Sequence, residues 1–138
     1  METNTLRQQT AAANERMQQL RESKEQLTLE VSTLMTHSGD EQLRWKGSVV
    51  DLMEALYCVF EQQTLTDEAG LPLPFLHIVR QCCQVLHVSM PRNPYHVATR
   101  GRNRKGIKSI SFMRRYVRMR ERGTGEKGLF SDISMALS

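Results

Sequence analysis

Cysteine is scarce in this chain and badly spaced for chemistry. Cys58, Cys82 and Cys83 are the three present, two of them adjacent and none in a CxxC pair. That pattern excludes a disulfide framework and a cysteine zinc site, and it suits a reducing cytoplasm. Long apolar runs are missing too. The most apolar stretch, VVDLMEALYCVF, is broken by Asp51 and Glu54, so no segment is predicted to span a bilayer. The start, METNTLRQQT, lacks a basic region leading into an apolar one, which speaks against a secretory signal. GRNRKG lacks the Gly-Lys-Ser/Thr ending of a phosphate-binding loop, and no Ser, Cys or His sits in a nucleophile motif. The acids fall on predicted helix faces without evident partners, so an enzyme is not expected. His77 and His87 have no third ligand at metal spacing. No metal, other cofactor or small-molecule ligand is therefore expected.

The most telling scarcity is local. Residues 92–122 contain one acid, Glu121, against eleven of the nineteen Lys and Arg residues. Residues 1–91 carry seven bases against twelve acids, and the tail beyond 122 is close to neutral. The modest overall charge of +4 conceals a strong dipole along the sequence. Such asymmetry points to a polyanionic partner, with nucleic acid first among the candidates.

Residues 2–36 hold neither Pro nor Gly and read as one long helix. Leu6, Ala13, Leu20, Leu27 and Leu34 recur every seven residues, but the companion column (Thr3, Thr10, Met17, Lys24, Val31) is half polar. In a parallel dimer Arg16 of one chain would face Arg21 of the other, which disfavours that arrangement. An antiparallel homodimer through residues 6–34, or packing of the helix on its own domain, avoids the clash.

Gly39 suits the end of that helix. Ser48 can cap a second helix whose apolar residues (Val49, Leu52, Met53, Leu56, Tyr57, Val59, Phe60) cover most of its girth, with Asp51, Glu54 and Glu61 in the remaining arc. A helix of that kind belongs at the centre of a core. Residues 64–73 read as a connector. Pro74 then opens a third helix reaching about His87, with Phe75, Ile78, Val79, Cys82, Cys83, Val85 and Leu86 on one side. Asn93-Pro94 starts a short fourth helix that ends near Gly101. The segment RGRNRKGIKSIS reads as a basic loop or small β-hairpin. Ser109 or Ser111 can cap a last helix running to Arg122, with Arg114, Arg115, Arg118 and Arg122 within one arc. The remainder is a docked or frayed tail.

Helix, connector, helix, short link, short helix and basic loop is the order of a helix-turn-helix with a wing. The expected fold is therefore all-α and winged-helix-like, with a long N-terminal helix over residues 1–38, a DNA-binding domain over 40–123 and a tail over 124–138. A short exposed helix bearing Tyr95, His96, Thr99 and Arg100 offers groups to base edges in a major groove. Arg102, Arg104, Lys105 and Lys108 can neutralise phosphates around it, with Arg114 and Arg115 from the last helix beside them. Double-stranded DNA is the expected partner. A membrane-surface role for the last helix is weaker, because its apolar face lacks Trp and has a small core to complete.

The run Trp45-Lys46-Gly47-Ser48, with Asp51, Leu52, Glu54, Leu56 and Tyr57 after it, resembles a segment in the C-terminal part of RteC proteins. Tyr95, then Arg102-Asn103-Arg104-Lys105, then Ser109, Ser111, Phe112 and Met113 are similar to that family's tyrosine, Arg-Lys loop and helix start. The resemblance covers about residues 43–122. It implies a cytoplasmic transcription regulator with a helix-turn-helix, acting on a mobile-element or conjugative-transposon promoter. The chain departs from the family in having one long helix in place of a large N-terminal domain, and in the residues 64–74 connector. The alternative function is a non-catalytic protein-interaction module that uses the N-terminal helix.

Overall fold

The computed structural model describes residues 2–104, 110–123 and 128–135, with side chains from residue 7 onward. Five α-helices run in the order α1 (Glu2–Leu34), α2 (Val49–Gln62), α3 (Phe75–Leu86), α4 (Pro94–Arg102) and α5 (Phe112–Arg122). Two short strands, β1 (Leu43–Trp45) and β2 (Ile133–Met135), pair antiparallel with Arg44 opposite Ser134. The architecture is thus a helical bundle with a small two-stranded sheet.

Local chemistry sets the helix starts. Ser48, Asn93 and Ser111 each accept a hydrogen bond from the backbone N–H three residues on, at Asp51, His96 and Arg114. Each thereby satisfies one of the N–H groups a helix start leaves open. Pro74 is the cap residue of α3 rather than part of its first turn, and His87 closes that helix in the left-handed region at φ 57°. The Trp45–Ser48 motif is a start signal for α2: the Trp45 indole N–H donates to the Ser48 carbonyl at 2.7 Å while the Ser48 side chain caps. The connector after α2 is a tight loop in which the Asp67 carboxylate accepts from the N–H groups of Ala69 and Leu71.

The core forms around α2, whose Leu52, Met53, Ala55, Leu56, Cys58 and Val59 are all buried. Phe75, Ile78, Val79, Cys82, Val85 and Leu86 of α3 meet it on one side, and Phe112 and Tyr116 of α5 join the same cluster. Leu27, Val31 and Leu34 are fully buried in that cluster. From Ser23 onward, α1 therefore belongs to the domain that the sequence assigns to residues 40–123. The lower half of the leucine column is spent inside the chain and is not available as an intermolecular seam. The tail docks: a 3₁₀ turn at Gly128–Asp132 buries Leu129, and β2 follows it onto β1.

Cys58, Cys82 and Cys83 are free and buried. Burial pushes their thiols up, to about 11, about 12 and about 11 respectively. A thiol reagent at pH 8 is expected to leave all three unlabelled in the folded protein and to label them on denaturation. The sign of the pH effect follows. Between the ordinary thiol value of 9.0 and about 11, the unfolded chain holds fewer protons than the folded one. Stability carried by the buried thiols is complete below pH 9 and drains as pH rises through that window. Rapid labelling at pH 8 under native conditions would contradict the packing.

Candidate nucleic-acid interface

α4 lies across α2 with Pro94, Ala98 and Gly101 buried against it. At Gly101 the two helices pack closely. A Cβ there would sit 2.9 Å from the Val50 side chain and 3.0 Å from Glu54 Oε1, inside ordinary contact distance, so any larger residue would push Val50 or Glu54 aside. Opposite that buried stripe, Tyr95, His96, Thr99 and Arg100 are exposed. Tyr95 is anchored as well as exposed. Its ring lies 4.7 Å from Phe75 and 5.9 Å from Tyr57, centroid to centroid, while the residue stays 44% exposed. The Thr99 hydroxyl donates to the Tyr95 carbonyl at 2.9 Å, so its oxygen keeps only acceptor capacity for another group.

The remaining basic residues divide by partner, in a way the sequence does not announce. Arg102 pairs with Glu61 and stacks 4.9 Å above the Tyr57 ring. Arg104 turns inward to Asp51 and stands 3.5 Å from Glu54. Arg115 bridges Asp51 at 3.2 Å and Asp132 at 3.3 Å, tying α5 to α2 and to the tail. The acids of α2, expected to lack partners, are thus matched by arginines 41 to 64 residues away. These pairs neutralise part of the charge of Arg102, Arg104 and Arg115 and hold one nitrogen of each, which leaves them less free for phosphate than an unpaired arginine. Among the described residues, Arg92, Arg100, Arg114, Arg118 and Arg122 make no ion pair. Arg114 and Arg118 border a groove between α5 and α1. Lys105 and Lys108, with any hairpin in their loop, lie outside the described residues.

Two buried carboxylates hold α5 in place, Glu54 at its start and Glu30 at its middle, and neither role is legible in the sequence. Glu54, 3% exposed, accepts from the Phe112 and Met113 N–H groups at 2.9 Å each. It places a negative charge on the positive end of α5. Glu30 accepts from the Tyr116 hydroxyl and from the Leu129 N–H at 3.2 Å. Burial, then the bond to Glu30, raises the Tyr116 hydroxyl well above its ordinary range.

Among the described residues no group of three or more His, Cys, Asp or Glu side chains could hold a metal ion. No helix among them is long and apolar enough to cross a membrane. Compared with protein-family models, curated proteins and solved structures, the chain matches none.

Proposed function

We propose that the protein is a sequence-specific DNA-binding transcription regulator of the winged helix-turn-helix kind, with α3 and α4 as the turn-linked pair and α4 entering the major groove. The observation that carries this reading is the placement of α4. It is fixed on α2 by Pro94, Ala98 and Gly101 while Tyr95, His96, Thr99 and Arg100 face outward. A helix held this rigidly presents its side chains without a large ordering cost. Tyr95 and Arg100 are suited to base edges, Arg100 through bidentate contact with guanine. Arg92 and the loop bases Lys105 and Lys108 supply phosphate contacts that fix the register. The resemblance to RteC proteins adds a cytoplasmic setting and a mobile-element promoter as the site of action.

The test is selection of preferred duplexes from a random library, followed by affinity measurements on a selected and an unrelated duplex. Tyr95→Ala and Arg100→Ala are each expected to weaken the selected duplex by about 1–3 kcal/mol while sparing the unrelated one. Equal losses on both would reduce these side chains to backbone contacts. Failure of selection to enrich any sequence, with no salt-dependent binding to any duplex, would remove the reading.

A further inference from the structure

The N-terminal part of α1 leaves the domain as an arm. Between residues 7 and 22 every side chain is exposed except that of Ala13, which is half-buried, and the first fully buried one is Ser23. Those sixteen residues extend for about 24 Å. Beyond its continuation into the packed part of α1, such an arm gains little from propensity alone, because most helical stability comes from packing an apolar face. The arm has such a face. Ala13, Met17 and Leu20 lie within about 60° of one another on the helix wheel, with Met17 63% and Leu20 39% exposed.

Where the arm passes α5, Leu20 joins Met113 and Val117 in a groove of about 330 Å³ bordered by Arg16, Arg114, Arg118 and Glu121. Arg21 flanks Met17 and Leu20 in the adjoining depression. The floor is apolar, and the surrounding charges are four arginines and Lys24 against one glutamate.

We propose that this groove receives an amphipathic helix with acidic flanks from a partner protein. Such a helix sets apolar side chains at i, i+3, i+4 and i+7 onto Leu20, Met113 and Val117, and its Asp or Glu flanks meet the arginine borders. A second copy of the arm fits this groove poorly, because the Arg16 and Arg21 that flank its Met17 and Leu20 would stand against the Arg114 and Arg118 borders, like charge against like. A DNA backbone fits poorly as well. Its phosphates satisfy the arginines but leave the apolar floor facing a polar strand. The inference does not depend on the DNA-binding reading, and DNA enters its test only as a competitor.

The test uses the whole protein and fluorescein-labelled synthetic peptides of about 20 residues with leucine at the helix-in-groove spacing. One peptide carries glutamate on its flanks, and a second carries lysine there. Fluorescence anisotropy should show the acidic peptide binding at least about tenfold more tightly than the lysine peptide, with affinity falling as salt rises. Leu20→Ser with Val117→Ser should weaken it about tenfold or more. Arg16→Glu with Arg118→Glu, both exposed and outside the core, should invert the preference toward the lysine peptide. Equal binding of the two peptides, or indifference to the Leu20 and Val117 changes, would overturn the proposal. So would a dimer in sedimentation that Leu20→Ser dissolves, since a second copy would then cover the groove. Displacement of the acidic peptide by random duplex DNA, lost on Arg114→Ala with Arg118→Ala, would also overturn it.

Discussion

Replacing Glu54 by alanine is expected to destabilise the protein by about 3–5 kcal/mol, read as a shift in the urea midpoint at unchanged slope. The size follows from what the carboxylate holds. Its two oxygens take the first two N–H groups of α5, at 2.9 Å each, and Arg104 stands 3.5 Å away. At 3% exposure the carboxylate is shielded from bulk water. Alanine would leave the buried Phe112 N–H and the part-buried Met113 N–H without their acceptor and the arginine short of one acid, and unpaired buried groups cost more than the bonds they replace contributed. Glu54→Gln keeps one acceptor oxygen for one N–H, so about 1–3 kcal/mol is expected there. A Glu54→Ala cost below about 1 kcal/mol would show that α5 starts without the carboxylate. The same change should also loosen the approach of α4 to α2 at Gly101, where Glu54 Oε1 is a near neighbour. If the protein binds DNA as proposed, its affinity should then fall on selected and unrelated duplexes alike.

The sequence is informative wherever structure is decided within about one helical turn. The caps Ser48, Asn93 and Ser111, the all-round apolar face of α2 and the single apolar face of α3 are legible, because capping and periodicity act between residues three or four apart. The fates of Asp51, Glu54 and Glu61 are not. The wheel places them in the polar arc of α2, which says nothing about whether α4 and α5 will cover that arc. Their arginine partners stand far along the chain, so the apparent reservoir of free positive charge is partly consumed inside the fold. β1 and β2 are illegible for another reason: three residues are too few to show alternation. Of the candidate interface, the helix start at Asn93-Pro94 and the outward residues of α4 could be placed from sequence. The inward turn of Arg104 and Arg115 could not.

The largest effect in the tail is expected from Gly128→Ala. Gly128 has φ 52°, in the left-handed region, and an added Cβ would fall within the space of the Glu30 carboxylate. Alanine there costs about 1 kcal/mol for the backbone conformation alone. The collision adds more, because Glu30 is buried and its oxygens serve the Tyr116 hydroxyl and the Leu129 N–H. Together about 3–5 kcal/mol is expected, with the 3₁₀ turn and β2 released from α1 and β1. Limited proteolysis should then cut near Leu129 at protease levels that leave the parent protein intact. A double-mutant cycle isolates the cause. In a Glu30→Ala background the carboxylate is gone, so adding Gly128→Ala should cost only the backbone share of about 1 kcal/mol. Tyr116 supplies an independent readout through pH. Its raised hydroxyl keeps its proton after an unfolded tyrosine, with an ordinary value of 10.0, has lost its own. Stability from that pair is therefore whole below pH 10 and declines above it. Tyr116→Phe should remove that share of the decline and leave the share due to the buried thiols. If the two costs simply add in the Glu30→Ala background, the strain lies in the turn itself and not in the contact between the tail and α1.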